Sequence, residues 1–245
     1  RLIIDGQNIG RRLLAGAPLS AWNSKTKPPI QTTMQSLFDT DGEIEALAPG
    51  AVLLRGRALG VDGELLAAIE AVAQAAPFRR MVTPGGFEMS VAMTNCGAGG
   101  WITDRKAYRY TAEDPESGRP WPAMPAAFLA LAAAAAAEAG FPSFVPDACL
   151  INRYETGARL SPHQDRDEAD YGYPIVSVSL GVPAMFQFGG PRRSDPMKKV
   201  ALRHGDVVVW GGPSRLAHHG VLALKNGEHP LTGGHRFNLT LRKAL

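Results

Sequence analysis

The pattern of apolar and polar residues changes near the middle of the chain. After residue 148, apolar residues occur in short runs separated by glycine and proline, and the run 175–180 interleaves Ser177 and Ser179 with apolar residues. Alternation with a period of two is typical of a half-buried strand. Several short strands punctuated in this way favour an antiparallel jelly-roll core over a parallel sheet. The predicted strands cover residues 149–154, 175–180, 185–188, 207–210 and 237–241.

Two segments before that region show helical spacing instead. Leu65, Ile69 and Val72 fall on one face of a helix predicted over residues 62–76. The alanine-rich stretch 123–139 predicts a second helix, with Gly140 as its stop. The predicted fold class is therefore α+β and mainly β. It has a jelly-roll (double-stranded β-helix) core at about 148–245, with flanking helices.

Residues 78–110, called the flap below, combine turn signals with basic and aromatic residues. Glycines at positions 85, 86, 97, 99 and 100 punctuate it. Basic residues can follow a phosphate backbone while aromatic rings stack on bases, so the flap favours single-stranded nucleic acid as a ligand. The alternative is that the aromatic rings only pack the flap onto the core. The residues concerned are Arg79, Arg80, Arg105, Lys106, Arg109, Phe87, Trp101, Tyr108 and Tyr110.

Composition and charge narrow the class of protein only a little. The net charge of +3 comes from residues 1–33, which hold five basic residues and one acidic residue, so the remainder has a net charge of −1. We expect residues 1–33 to be a disordered or non-native extension and residues 34–245 to form a single domain. The apolar runs are too short to cross a bilayer, and Cys96 and Cys149 lack zinc-site spacing. A reduced, cytoplasmic protein is expected.

One histidine and one aspartate two residues apart suggest a metal site. His163 and Asp165 would lie on one face of a strand, and a third ligand would come from His218 or His219, of which only one can face the metal. Two imidazoles and one carboxylate on one side of a metal form a facial triad that suits Fe(II) and leaves positions open. A second His-x-Asp triplet begins at His204, but its central Gly205 favours a turn.

The last predicted strand and the residues that flank it carry polar side chains on one face. Arg236, Asn238 and Arg242 alternate with apolar residues, so their side chains share one side of the strand. Two arginines facing a protein interior are costly unless anions meet them. Because Arg grips carboxylates with two hydrogen bonds, a dicarboxylate such as 2-oxoglutarate would satisfy them. Asn152 and Tyr154 alternate in the same way on another strand and could add donors.

These residues, with the sequence around them, resemble the AlkB family of Fe(II)/2-oxoglutarate-dependent nucleic-acid demethylases. The resemblance extends from about Pro77 to Arg242, and residues 1–33 have no counterpart in it. Extended blocks of sequence are more specific than the triad alone. The matching blocks are residues 81–86, 89–96, 120–125, 146–154, 163–165, 174–181, 204–212 and 238–240.

The resemblance implies a role for each matching residue. It also selects His219 over His218, because the family has a His-Gly pair at the third ligand. The implied iron ligands, which are also the catalytic residues, are His163, Asp165 and His219. The implied 2-oxoglutarate contacts are Asn152, Tyr154, Arg236, Asn238 and Arg242. The implied substrate contacts are Trp101, Tyr108, Asp167, Met93 and Arg193.

The chain departs from the family at three places. His218 stands where the family has an aromatic residue, Phe87 replaces a tyrosine, and the loop 171–173 differs from the usual sequence. The last two put lesion preference and strand contacts in question rather than the core chemistry.

The resemblance also implies the reaction and the partners. An N-methyl group on a base, as in 1-methyladenine or 3-methylcytosine, would be hydroxylated with O₂ and released as formaldehyde. At the same time 2-oxoglutarate would be converted to succinate and CO₂. The expected partner is single-stranded or base-flipped DNA, and RNA as well, bound by a monomer that contacts no membrane. Two alternatives stay open: an oxygenase acting on tRNA or protein, and an inactive nucleic-acid-binding module.

Overall fold

The computed structural model describes residues 41–245, so the predicted extension at 1–33 lies outside them. Within the described residues the chain is mainly β. The strands, in chain order, are β1 Ile44–Ala48, β2 Ala51–Leu54, β3 Ala92–Gly97, β4 Gly100–Thr103, β5 Tyr108–Thr111, β6 Glu113–Asp114, β7 Arg119–Pro120, β8 Ala148–Tyr154, β9 Leu160–His163, β10 Ile175–Gly181, β11 Ala184–Phe188, β12 Lys198–Leu202, β13 Val207–Trp210, β14 His219–Val221 and β15 Arg236–Arg242. The helices are α1 Asp62–Ala75 and α2 Ala126–Glu138.

Two antiparallel sheets form the jelly roll. The larger has seven strands in the order β1-β2-β13-β10-β15-β8-β3, and the smaller has four in the order β12-β11-β14-β9. Two short hairpins, β4-β5 and β6-β7, stand apart from both sheets. Three strands of the larger sheet, β1, β2 and β3, come from before residue 148, so the first part of the chain also contributes to this sheet.

The strands of the larger sheet have two different faces. On β10, Val176 and Val178 point away from the smaller sheet into a cluster shared with both helices, while Ile175 packs in the cluster between the sheets. On β13, Val209 and Trp210 divide in the same way. The period of two in the sequence therefore separates a helix-covered face from a face that looks into the jelly roll.

The helices cover the outer face of the larger sheet and begin and end close to the predicted residues. In α1, Leu65, Ile69 and Val72 are buried, and no side-chain hydrogen bond caps its start. In α2, buried small residues let the backbone approach the sheet closely, and Gly140 follows with a φ of 91°. Such a left-handed φ favours glycine, so Gly140 ends the helix as predicted. Neither helix is long and apolar enough to cross a membrane.

The structure confirms the five predicted strands within a residue or two and adds strands that the sequence pattern did not indicate. β9 contains Pro162, β12 begins with two lysines and β14 has Gly220 at its centre. Such residues weaken strand propensity, and pairing with neighbouring strands overrides that weakness. The turn predicted at Gly205 is present, with a φ of 85°.

Candidate active site

Three possible metal-binding side chains meet at the open end of the smaller sheet. His163 is the last residue of β9 and His219 the first of β14, and the two are paired across these antiparallel strands. Together with Asp165 they offer ligand atoms that all lie within 4.8 Å of one another. The Nε2 atom of each histidine lies 3.7 Å from an oxygen of the Asp165 carboxylate. Three donors thus converge on a single point.

The structure corrects the expected placement of Asp165. His163 and Asp165 were predicted to share one face of a strand, but β9 ends at His163 and Asp165 lies in the following loop. Gln164 holds that loop, because its Nε2 donates to the carbonyl oxygens of Pro191 at 3.0 Å and Leu216 at 2.6 Å. The two donors therefore meet through a pinned loop rather than through strand alternation.

Hydrogen bonds orient the two imidazoles toward the same point. The Nδ1 atom of His163 lies 2.9 Å from the carbonyl oxygen of Ser161, and that of His219 lies 3.1 Å from the carbonyl oxygen of Ala217. A carbonyl only accepts, so each Nδ1 carries the proton and each Nε2 presents a lone pair. Burial lowers the pKa of His219 to about 4, which keeps its ring neutral near pH 7.

The aspartate is held in its ionised form. Burial alone would raise the pKa of Asp165, but the positive charge of Arg242 beside it outweighs burial, so the pKa lies well below the ordinary value. Arg242 donates from Nη2 and Nε to one carboxylate oxygen at 2.8 and 3.1 Å. Two imidazoles beside one carboxylate form a donor set that fits Fe(II). His218 faces elsewhere, with its Nδ1 3.4 Å from the carbonyl oxygen of Gly190.

A buried polar pocket adjoins the three donors inside the jelly roll. It is lined by residues of β8, β10, β13, β14 and β15, and His163 and His219 stand at one side of it. Five buried polar atoms in its wall make no hydrogen bond to any described residue. These atoms are Asn152 Oδ1, Tyr154 OH, Trp210 Nε1, Arg236 Nε and Arg236 Nη1.

Arg236 indicates most directly what kind of ligand this pocket would bind. Its side chain is 1% exposed and forms no ion pair with any residue between 41 and 245. Its Nη2 donates to Ser179 Oγ at 3.0 Å, and the guanidinium lies 4.8 Å from the centre of the Tyr154 ring. Burial lowers its pKa. A buried cation with free donors needs an anion, and a carboxylate of 2-oxoglutarate fits that need.

The remaining predicted pocket residues share this inward face. Asn238 accepts from Asn152 Nδ2 at 3.3 Å, and its own Nδ2 donates to Ser177 Oγ at 2.8 Å. The structure therefore brings together all five predicted 2-oxoglutarate contacts. Ser177 and Ser179 were not singled out from the sequence, although their alternation with apolar residues was visible there.

Three of the predicted substrate contacts, two aromatic and one acidic, lie in contact with one another. Trp101 and Tyr108 stack with ring centres 5.7 Å apart and an interplanar angle of 20°. The indole Nε1 of Trp101 donates to Asp167 Oδ2 at 2.8 Å. Met93 is buried in the cluster against which Trp101 packs, whereas Arg193 is exposed between β11 and β12.

The structure modifies the expected basic character of the flap. Three of its five basic residues have protein counter-ions: Arg79 pairs with Asp114, Arg80 with Glu155 and Arg109 with Asp104. The exposed Arg105 and Lys106 remain for a phosphate backbone. The basic count in the sequence therefore overstated the charge that a ligand would meet.

Sequence reasoning missed a group of buried charges behind the donors. Glu168, Arg215 and Tyr110 contact one another or Arg242, and Glu168 and Arg215 are almost fully buried. Glu168 follows two other charged residues, Arg166 and Asp167, and nothing in the sequence around Arg215 marked it. Only the packing of the loop after Asp165 against the turn at 212–215 brings them together.

The fold and the site together define a jelly-roll oxygenase with a two-histidine, one-carboxylate metal centre and a cationic pocket for a dicarboxylate. A family model described as the 2OG-Fe(II) oxygenase superfamily matches residues 53–242, and the chain belongs to that family. It is an Fe(II)/2-oxoglutarate-dependent dioxygenase that uses O₂.

Relatives make the placement within the family more specific. The chain is 61% identical over 200 residues to the alpha-ketoglutarate-dependent dioxygenase AlkB of Salmonella typhimurium, covering 82% of this chain and 93% of that one. It is 58% identical over 212 residues to the protein of the same name from Escherichia coli, covering 86% and 98%. A mouse protein named nucleic acid dioxygenase ALKBH1 is 31% identical over 121 residues, covering 49% of this chain and 31% of that one.

A solved structure supports the same placement. The structure of OsALKBH1 matches with a TM-score of 0.73 and 29% sequence identity, covering 82% of this chain and all of that one. The expected fold class and the expected iron and 2-oxoglutarate are confirmed by these comparisons.

Proposed function

We propose that this enzyme removes N-methyl groups from bases such as 1-methyladenine and 3-methylcytosine in DNA and RNA. The substrate methyl would leave as formaldehyde, while 2-oxoglutarate and O₂ would give succinate and CO₂. The observation that supports this most strongly is the stack of Trp101 on Tyr108, with the Trp101 indole bonded to Asp167, which lies two residues after the proposed ligand Asp165. An aromatic surface next to a hydrogen-bonding carboxylate suits a flat base that carries amino hydrogens.

The roles proposed for individual residues follow from their chemistry. His163, Asp165 and His219 would hold the iron, which supplies O₂ activation when bound. Arg236 would neutralise the distal carboxylate of 2-oxoglutarate, with Asn152 and Tyr154 as added donors. Asn238 and Arg242 would lie near the other carboxylate. Because these groups line a buried pocket, they exclude water from the reacting centre and fix the dicarboxylate beside the donors.

The flap and the loop after Asp165 would supply most of the substrate contacts. Trp101 and Tyr108 would stack on the base, Asp167 would accept its amino hydrogens, and Met93 and Arg193 would contact the base and its strand. A methyl group on the pairing edge is hidden in a duplex, so the base must be single-stranded or flipped out. We further propose that the enzyme acts as a monomer in the cytoplasm, and that residues 1–33 lie outside the functional domain.

One alternative keeps the chemistry and changes the substrate. A 2-oxoglutarate-dependent oxygenase acting on tRNA or on a protein side chain would need the same donors and the same buried arginine. The net charge of −1 over residues 34–245 gives no strong preference for a polyanion. A flat aromatic stack bonded to the loop that follows Asp165 favours a base over an aliphatic side chain, so base demethylation is the better supported function.

The direct test is mass spectrometry of a single-stranded oligonucleotide that carries one 1-methyladenine. The oligonucleotide is incubated with the protein, Fe(II), 2-oxoglutarate and ascorbate. We expect the loss of one methyl group per oligonucleotide and a matching amount of succinate and formaldehyde.

Controls separate the possible failures. The His163→Ala variant should lose demethylation, because one of three metal ligands is gone. Succinate formed without demethylation would refute the base as substrate but leave the oxygenase, and tRNA and peptide pools would then be tried. Neither product from metal-loaded protein would point to an inactive binding module.

A further inference from the structure

A buried group of four charged side chains lies behind the three donors. Asp165 and Glu168 provide two negative charges, and Arg215 and Arg242 provide two positive charges, with each side chain 7% exposed or less. Glu168 accepts from Arg215 Nη2 at 3.1 Å and lies 3.3 Å from Arg242 Nε. The hydroxyl of Tyr110 donates to Glu168 Oε1 at 2.8 Å, the same oxygen that lies near Arg242 Nε.

This group forms hydrogen bonds with both the side chain and the main chain of Asp165. Arg242 donates to its carboxylate at 2.8 Å, while Arg215 Nη1 donates to its main-chain carbonyl oxygen at 2.8 Å. Arg215 also donates from Nε to the carbonyl oxygen of Tyr173 at 2.9 Å, which fixes the far end of the same loop. Glu168 is the one carboxylate of the group that contacts both arginines, so its charge determines how strongly each arginine interacts with Asp165.

Charge balance gives this arrangement a consequence for a metal ion. The two arginines offset Asp165 and Glu168, so the group is neutral before a cation arrives. Without the charge of Glu168, a net positive charge would lie beside a divalent cation in a poorly screened interior. Arg242 would also compete more strongly for the Asp165 oxygen that the metal needs. Both effects weaken metal binding.

A purely structural role is a weaker explanation of these residues. Buried ion pairs contribute little net stability on average, since desolvation offsets their attraction, and apolar residues often replace them without loss. Partners behind metal ligands, by contrast, commonly change metal affinity by about 10- to 100-fold when removed.

We propose that Glu168 is a positioning residue that tunes Asp165 as a metal ligand: its charge balances Arg215 and Arg242 and so leaves Asp165 free for the cation. The inference rests on the proposed ligand set. It extends that set by a residue that sequence patterns did not indicate. Tyr110 links this residue to β5 of the flap.

The test measures the affinity of the full-length apo-protein for Mn²⁺ alone, by titration calorimetry. Glu168→Gln keeps the size of the side chain and removes its charge, and we expect it to weaken Mn²⁺ binding about tenfold. Adding Arg215→Met restores the charge balance, so the double variant should regain most of the lost affinity. Its melting temperature should nevertheless fall, because the carbonyls of Asp165 and Tyr173 lose their donor.

Opposite movements of affinity and stability distinguish positioning from general loosening of the fold. A double variant that binds Mn²⁺ as weakly as Glu168→Gln, or a single variant equal to the native protein, would overturn the inference. Asp206→Asn is the matched control, since it removes a buried carboxylate that pairs with Arg55 away from the donors. It should lower the melting temperature and leave Mn²⁺ affinity unchanged.

Two further variants keep the test decisive. If Glu168→Gln does not fold, Tyr110→Phe removes one donor to Glu168 but keeps its charge, so Mn²⁺ affinity should stay close to that of the native protein, and a loss of about tenfold would overturn the inference. His163→Ala should abolish Mn²⁺ binding if the proposed ligands are correct. If His163→Ala loses Mn²⁺ binding and Glu168→Gln keeps the native affinity, only the positioning role is contradicted. If His163→Ala still binds Mn²⁺, the ligand set itself is contradicted.

Discussion

The inner pocket and the flap treat their polar groups in opposite ways. In the pocket, Arg236 and Tyr154 keep buried hydrogen-bonding atoms that no described residue satisfies. In the flap, polar groups satisfy one another: Trp101 donates to Asp167, and Asp104 accepts from Arg109. The pocket is thus arranged in advance for an anion, whereas these polar groups of the flap already have protein partners.

This difference follows from where each region sits. Most polar side chains of the pocket lie on three adjoining strands of the seven-stranded sheet, β8, β15 and β10, so they cannot rearrange without moving the sheet. The flap hairpin β4-β5 pairs with neither sheet, so its cost of rearrangement is lower. We infer that co-substrate binding is specific and rigid and that substrate binding is adaptable. Four changes test this contrast.

The largest effect is expected from Arg236→Met. The variant should lose 2-oxoglutarate binding and turnover, because the carboxylate would enter a desolvated pocket without a cation. The melting temperature of the metal-free apo-protein should rise by a few degrees, since removing a costly buried ion is worth about 1–4 kcal/mol. Calorimetry of 2-oxoglutarate binding and a thermal scan measure both.

Arg55→Met is the matched control for that prediction. Arg55 has counter-ions in Asp206 and Glu45, at 2.8 Å each, so its loss should lower the melting temperature. A fall in apo-protein stability in Arg236→Met as large as in Arg55→Met would show that the pocket is not prepared for an anion.

Trp101→Ala should produce the next largest effect. Loss of one base–aromatic stack is worth about 1–3 kcal/mol, which corresponds to roughly a tenfold to hundredfold rise in the Kd for a methylated oligonucleotide. Turnover of 2-oxoglutarate without nucleic acid should persist. Fluorescence anisotropy and succinate assays check the two parts.

Trp101→Phe separates stacking from hydrogen bonding at the same position. It keeps an aromatic ring but removes the donor to Asp167, so affinity should stay close to that of the native protein. If Trp101→Ala bound the oligonucleotide with the affinity of the native protein, the stacking role would be refuted.

Arg193→Ala should cause a smaller loss that depends on salt. If this exposed arginine contacts one phosphate, affinity for a single strand falls by roughly fivefold at low salt, and the slope of log K against log salt drops by about 0.7. Arg57→Ala is the control, because Arg57 is exposed but pairs with Glu138 on α2. An unchanged salt slope in Arg193→Ala would place the phosphate path elsewhere.

The smallest effect is expected at the turn of the flap hairpin. Asp104 accepts from the backbone N–H of Lys106 at 2.7 Å and from Arg109 at 2.7 Å, and the bond from Arg109 holds its pKa well below the ordinary value. A lowered pKa stabilises the turn above the unfolded pKa, and that contribution is lost as pH falls through the folded value. Asp104→Asn should reproduce the loss at neutral pH.

Hydrogen exchange of residues 103–108 checks this prediction. Exchange there should quicken in Asp104→Asn while the melting temperature stays the same, because the pair is exposed and screened. A lower melting temperature would mean that the flap turn is part of the cooperative core.

Local patterns were sufficient for some elements and insufficient for others. The alternation in β10 and β15 and the helical spacing of Leu65, Ile69 and Val72 were visible because burial repeats with a fixed period. The strands β9 and β14 were not among the five strands predicted from the apolar pattern, because proline and glycine interrupt that pattern. Asp165 was placed on a strand because a short spacing does not reveal where a strand ends.

The sequence by itself determined the periodic faces, the types of ligand-forming side chains and, through its resemblance to a family, the reaction class. Tertiary structure alone decided that Arg236 has no counter-ion within residues 41–245, that most basic residues of the flap are already paired, and that Glu168 and Arg215 lie behind Asp165. The physical reason is that burial and charge pairing depend on contacts between residues distant in sequence. Glu168 and Arg215, for example, are 47 residues apart.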